Sequence, residues 1–233
     1  MTLVLSAPGS KSQTQRALVL GALADSPTTI AGGLDCDDSR RLRTALRAMG
    51  TTIADSDARE APTTNNQQPK TSSWSVVPAP LHSPSAPLDC GNAGTTIRFC
   101  AAFSLLLDGP LTLDGDEHMR RRPIGGLAAA LGSLGIDVRW DGTAGRPPLT
   151  LRRMRAAGTE VEVEAESSSQ FASALLLVAP RLPGGLALRL RGAAVSLPYL
   201  DLTVQALRAF GARVDVDGPL YRVAPGPLRG ARF

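Results

Sequence analysis

The stretch Leu127-Ala-Ala-Ala-Leu131-Gly-Ser-Leu134-Gly135-Ile-Asp-Val138 has two counterparts in the same chain. They are Leu42-Arg-Thr-Ala-Leu46-Arg-Ala-Met49-Gly50-Thr-Thr-Ile53 and Val204-Gln-Ala-Leu207-Arg-Ala-Phe210-Gly211-Ala-Arg-Val214. In each copy apolar residues recur at helical spacing, a glycine suited to a helix C-cap follows, and a strand pattern begins. The glycines stand roughly 80 residues apart, so each repeat holds more than one helix. A unit of two helices and several strands fits that length. Two further runs, Thr95 to about Leu107 and Ser169 to Ala179, predict helices that are apolar nearly all round and therefore buried. Strands are expected at Thr28–Ile30, Ser75–Val77, Leu111–Leu113, Val161–Val163, Leu186–Leu190 and Tyr221–Val223. Strand and helix alternate, which places the chain in the α/β class.

Bulk composition narrows the function. The 233 residues are 43% hydrophobic with mean hydropathy near zero, enough for a full core in one large domain or two small ones. No apolar run reaches membrane-spanning length, and the N-terminus lacks the pattern of a signal peptide. Cys36, Cys90 and Cys100 are odd in number and lack metal-type spacing, which fits free thiols in a cytoplasmic protein. His82 and His118 are the only histidines, which argues against a histidine metal site. The net charge is +4, and with Lys11 and Lys70 the only lysines almost all positive charge is arginine. Arginine suits bidentate contact with carboxylate or phosphate. Aromatics make up only 4%, which argues against a stacking surface for nucleic acid. A small anionic ligand is the better reading.

Five stretches could meet such a ligand. A short strand at Leu3-Val4-Leu5 runs into a Pro8-Gly9 turn, then Ser10, Lys11 and Ser12, then a helix from about Gln13 with Arg16 in its first turn. Small hydroxyls, a lysine and an arginine at a helix start suit a phosphate or carboxylate; a plain strand–turn–helix connection with a solvated lysine is the alternative. Gly91-Asn92-Ala93-Gly94-Thr95 opens a buried helix, with Gly94 allowing close approach, Thr95 able to cap and Arg98 in the first turn. Gly115-Asp116 leads through Met119 to Arg120-Arg121-Arg122-Pro123-Ile124, where Arg120 and Arg121 read as a solvated corner and Pro123 suits a first helical turn. Ser167-Ser168-Ser169-Gln170 starts an apolar helix and reads as a phosphate cradle or an N-cap cluster. Val195-Ser196-Leu197-Pro198-Tyr199 reads as a loop before the third repeat helix. Residues 56–88, polar and then Pro/Ser-rich around Trp74-Ser-Val-Val, read as a mobile surface insertion around one strand.

In this order and spacing the stretches PGSKS…R, GNAGT..R, GD..M..RPI, SSQ and S.PY resemble the 3-phosphoshikimate 1-carboxyvinyltransferase (EPSP synthase) family over essentially the whole chain. That family transfers the enolpyruvyl group of phosphoenolpyruvate to the 5-hydroxyl of shikimate 3-phosphate and releases phosphate, without metal or organic cofactor. The resemblance implies that Lys11 touches both substrates and that Ser12 and Arg16 hold shikimate 3-phosphate. Ser168, Ser169 and Ser196 would take its phosphate and Tyr199 would flank it. Asn92, Gly94 and Arg122 would line the phosphoenolpyruvate site, where glyphosate also binds, and Gln170 would lie between the substrates. Lys11 and Gln170 are thus the candidate catalytic residues. The partners implied are the two small substrates and the family's other half, with no nucleic acid and no membrane.

The chain departs from the family at Gln15, usually Asn; at His118, usually Arg; at Phe99, frequently Pro; and at Leu197, usually polar. The family chain is about twice as long, with two similar domains of three repeats each. The resemblance therefore implies one domain: three βαβαββ-like repeats with helices inside and sheets outside. It assigns 1–8 to a strand of the other domain, 9–226 to the N-terminal enolpyruvyl transferase domain and 227–233 to the start of the crossover. The family's acid/base Asp and Glu belong to the other half, so little turnover is expected from this chain alone. The alternatives are a relative of UDP-N-acetylglucosamine enolpyruvyl transferase, which characteristically has a Cys in the loop that here spans Asp116–Arg121, or a non-catalytic half-domain.

Overall fold

The computed structural model describes residues 9–56, 71–164, 169–192 and 197–233. The expected strand at Leu3–Leu5, the polar stretch 61–70, Ser167, Ser168 and Ser196 lie outside the described residues. The chain forms three units in succession. The first holds α1 (Lys11–Leu23), β1 (Thr28–Leu34), α2 (Asp37–Ala48), β2 (Thr52–Asp55) and β3 (Thr71–Val77). The second holds β4 (Leu88–Asp89), α3 (Gly94–Phe103), β5 (Leu111–Asp114), α4 (Gly125–Ser133), β6 (Ile136–Trp140) and β7 (Leu149–Arg153). The third holds β8 (Glu160–Glu164), α5 (Ser169–Val178), β9 (Leu186–Arg191), α6 (Leu197–Ala209), β10 (Val214–Asp217) and β11 (Leu220–Val223).

Each unit folds by the same local rules. Gly50, Gly135 and Gly211 take φ of +110°, +104° and +85° just past the second helix of their units. A left-handed residue there turns the chain and lets following N–H groups bond back, as Thr51 N–H does to Leu46 O and Ala212 N–H to Leu207 O, both at 3.0 Å. The turn delivers the chain into β2, β6 and β10. Sheet order repeats as well: β4-β5-β7-β6 and β8-β9-β11-β10, the first pair parallel and the rest antiparallel. The first unit has β1-β3-β2, and its parallel neighbour comes from the far end of the chain. Thr29 N–H donates to Ala231 O at 3.0 Å, Ala31 N–H to Phe233 O at 2.8 Å, and Phe233 N–H to Thr29 O at 2.8 Å. Residues 227–233, expected as a crossover, thus lie against this domain, with Leu228 buried and the Phe233 ring 6.0 Å from that of Phe210.

The helices α1, α3 and α5 are buried along nearly their whole length, as their uniform apolarity requires, and pack against one another at the centre. The sheets lie outside. Along β8, Val161 and Val163 face the core while Glu160, Glu162 and Glu164 face out, the period-2 pattern of a sheet with one wet side. The α/β class and the helices-inside, sheets-outside arrangement are therefore as expected.

Four local expectations are corrected. α1 begins at Lys11 rather than about Gln13, because the Ser10 hydroxyl accepts from Gln13 N–H and caps it there. α3 ends at Phe103 rather than about Leu107, its apolar run continuing as a tight turn. Leu197-Pro198-Tyr199 is the first turn of α6, where proline's missing N–H costs nothing, and not a loop. The strand expected at Ser75–Val77 is present as β3, but it begins at Thr71 and lies at the centre of its sheet rather than at the surface, with Trp74 and Val76 fully buried. Trp74 stacks under the Arg43 guanidinium, 4.4 Å from the ring centroid, and its ring lies where a β-carbon on Gly33 would sit.

Candidate anion-binding site

The N-terminal halves of α1, α3 and α5 meet at one end of the core, and cationic side chains collect there. Gln15 of α1 donates to Thr96 Oγ1 of α3 at 3.2 Å, and that hydroxyl donates to the Asp38 carbonyl of α2 at 3.0 Å. This fixes the first turns of three helices against one another. α3 itself starts without a side-chain cap: its N-cap is Ala93, and the expected capping by Thr95 does not occur because Thr95 is already inside the helix. Its opening N–H groups therefore face the pole with no cap from a side chain.

Two guanidiniums lean over that helix start. A β-carbon at Gly94 would stand 2.6 Å from Arg122 Nη1 and 2.8 Å from Arg98 Nη1, so only glycine leaves them room. Arg122 is exposed and donates to the Asn92 carbonyl at 3.1 Å. Arg98 donates to the carbonyls of Gly94 at 2.7 Å and Pro123 at 3.1 Å and lies 5.4 Å from the Phe171 ring centroid. Its Nε is buried without a hydrogen-bond partner. Burial, and then the like charge of Arg122, pull the Arg98 pKa down to about 10. Neither arginine pairs with a carboxylate among the described residues. Pro123 precedes α4, which starts at Gly125, so it shapes the turn that aims Arg122 rather than opening the helix.

Lys11, the first residue of α1, completes the cluster. Its Nζ lies 2.5 Å from Asp38 Oδ1. That hydrogen bond raises the Lys11 pKa, while burial and the nearby Arg122 charge oppose the rise. Asp38 sits in the first turn of α2, where the helix dipole favours a carboxylate. Sequence reasoning assigned it no role, since its partnership joins two helices and leaves no spacing signal. Arg98 stands in the first-turn pattern of GNAGT..R, which signals one guanidinium near Gly94; that Arg122 joins it there is a tertiary contact with no spacing signal.

Arg16 is held differently. It is 3% exposed, and it donates to Thr203 Oγ1 at 2.8 Å, Ser12 O at 2.8 Å, Tyr199 O at 2.9 Å and Ser173 Oγ at 3.2 Å. Burial brings its pKa to about 10. It ties α1 to α5 and α6, next to the half-exposed Tyr199 side chain. Ser12, Ser169 and Gln170 are partly exposed, the last two in the first turn of α5. The structure thus brings Lys11, Asn92, Gly94 and Arg122 to one pole, with Ser12, Arg16 and Tyr199 joined through Arg16 beside it. In the basic run, Arg120 pairs with Asp114 at 2.6 Å and Arg121 bonds His118 at 3.1 Å, as a solvated corner would. Among the described residues no cluster of His, Cys, Asp or Glu could hold a metal ion, and no helix is long and apolar enough to cross a membrane. A surface concavity elsewhere is lined by Glu160 and Glu162 of β8 and Arg189 and Arg191 of β9; its acids face bases across the strand pair, and Arg191 pairs with Glu162 at 3.1 Å.

Three repeated units around a buried helical core define an α/β domain, and the uncompensated Arg98 and Arg122 over an open helix start make a candidate anion site in it. The family model for EPSP synthase (3-phosphoshikimate 1-carboxyvinyltransferase) matches residues 2–231. The chain belongs to the EPSP synthase family. It is 42% identical to the 3-phosphoshikimate 1-carboxyvinyltransferase of Rhizobium etli (strain CIAT 652), over 97% of this chain and 51% of that one. It is 40% identical to that of Shewanella amazonensis, over 96% and 50%. Its fold is similar to an EPSP synthase structure from Acinetobacter baumannii, with TM-score 0.81 and 24% identity over 98% of this chain and 48% of that one. The enolpyruvyl transferase NikO from Streptomyces tendae is similar at TM-score 0.66 and 17% identity, over 100% and 50%. The chain spans about half the length of the curated relatives it matches.

Proposed function

We propose that this chain supplies the shikimate 3-phosphate site and part of the phosphoenolpyruvate site of a 3-phosphoshikimate 1-carboxyvinyltransferase. The supporting observation is the convergence of Arg98 and Arg122 on the uncapped start of α3 at Gly94, with the Lys11 ammonium within reach of the Arg122 charge. Two anionic substrates must be brought together against their mutual repulsion, and fixed cations and N–H donors do that work. In this reading Asn92, Gly94 and Arg122 receive phosphoenolpyruvate. Ser12, Arg16, Ser168, Ser169, Ser196 and Tyr199 receive shikimate 3-phosphate, while Lys11 and Gln170 lie between the two. Arg16 serves chiefly by holding Ser12 and Tyr199 in place, since its own guanidinium is buried and bonded. Residues 9–226 form the N-terminal domain, 1–8 belong with a second domain, and 227–233 lead toward it. The match to EPSP synthases favours this reading over the UDP-N-acetylglucosamine enolpyruvyl transferase alternative.

The family's acid/base residues lie in the other half, so the 233-residue chain binds substrate and turns over little. Calorimetry with shikimate 3-phosphate and a steady-state assay of the isolated chain test this. Measurable binding with negligible product formation is expected. Absence of binding favours a non-catalytic half-domain, and substantial turnover refutes the division of labour.

A further inference from the structure

We propose that Asp38 is a built-in counter-anion that competes with an anionic substrate for the Lys11 ammonium. The inference rests on the site reading above and adds a residue to it. Three observations carry it. The carboxylate touches Nζ directly, at 2.5 Å, on a lysine whose side chain is half exposed and so reachable by a ligand. Asp38 is itself only 19% exposed and is anchored: its own carbonyl accepts from Thr96 of α3, and its place in the first turn of α2 favours the charged form. Beside it, Arg98 and Arg122 have no carboxylate among the described residues, and Arg122 is near enough to Lys11 for their charges to oppose each other. Asp38 thus lowers the positive charge of this pole by one and holds Lys11 toward α2.

The consequence is a competition. An incoming phosphate or carboxylate either shares the half-exposed Lys11 ammonium with Asp38 or loosens that bond, and in both cases lies close to a like charge. Asp38 is therefore a positioning residue: it fixes where the ammonium points and weakens the hold on anions, which favours release of the phosphate product.

The chain has only two lysines, Lys11 and Lys70, so a carbon-13 NMR spectrum holds two lysine Cε signals, and the one lost in Lys11→Met reports on Lys11. Inorganic phosphate is titrated into the full chain, into Asp38→Asn and Asp38→Ser, and into Lys11→Met with and without Asp38→Asn; for the Lys11→Met proteins the Gly94 amide is followed. Asp38→Asn and Asp38→Ser should tighten phosphate binding about three- to tenfold, as removing a neighbouring charge at partly screened range does. In the Lys11→Met background the gain should disappear. Unchanged or weaker binding in both Asp38 variants, with phosphate still bound by the wild-type chain, overturns the proposal and leaves the site reading standing. A gain that persists without Lys11 overturns it too, since Asp38 would then act on the pole generally. Failure of the wild-type chain to bind phosphate at all overturns both readings.

Discussion

Arg16 and Arg98 stand at matching places, near the starts of the first helices of the first and second units, and burial depresses the pKa of each to about 10. They nevertheless do opposite things. Arg16 meets two hydroxyls and two carbonyls from three helices, and Thr203 and Ser173 also bond each other at 2.9 Å. Its desolvation is offset within the protein, and the result is a joint. Arg98 meets two carbonyls, keeps a buried Nε unbonded and faces a second guanidinium. Its desolvation is only partly offset, and the remainder is available to an anion. Desolvation of the same side chain thus leaves a satisfied joint at one place and an unsatisfied cation at the other, according to which acceptors the fold supplies.

The largest effect should come from the joint. Arg16→Leu leaves the Ser12 and Tyr199 carbonyls without their charged donor and should cost about 2–4 kcal/mol in urea unfolding. A loss below half of that would mean the network is not what joins α1 to α5 and α6. Arg122→Ala should act the other way, lowering phosphate affinity about tenfold, the range expected for one charge-assisted contact, with the unfolding midpoint unchanged. If stability fell with affinity, the contrast between joint and receptor would be wrong. Gly94→Ala pushes a methyl group against both guanidiniums and should weaken phosphate binding about threefold as the two side chains give way. The smallest effect concerns Arg120, Arg122's paired neighbour. Its guanidinium holds the Asp114 carboxyl below the ordinary value of 3.8. Asp114 therefore contributes stability that is complete above that value and lost as pH falls through its folded value. Asp114→Asn should flatten the acid limb of the stability curve by less than about 1 kcal/mol, the pair being partly exposed. It should leave phosphate affinity alone.

How legible this was depended on whether the signal was local. The glycines after α2, α4 and α6 were readable because a left-handed turn is a property of one residue, and all three adopt it. α3 and α5 were readable as buried because their runs are apolar nearly all round, with Arg98 and Ser173 the polar residues past their first turns. The strand at β3 was legible but its burial was not, because its flanks are polar and proline-rich and its burial depends on Gly33 and Arg43, both far from Trp74 in sequence. Lys11, Gly94 and Arg122 were legible through ordered motifs. The Lys11–Asp38 and Arg16–Thr203–Ser173 contacts were not, since each joins helices whose relative placement no spacing encodes.

The pairing of residues 231–233 with β1 has a consequence in time. Ala231 meets Thr28 across a separation of 203 residues. At ordinary rates of synthesis the ribosome needs on the order of 10–40 s to cover that distance. Until then β1, which is among the earliest strands to emerge, offers an open edge to any other extended chain. Among the described sheets, the one whose strands come earliest in the sequence receives its parallel neighbour from the latest residues.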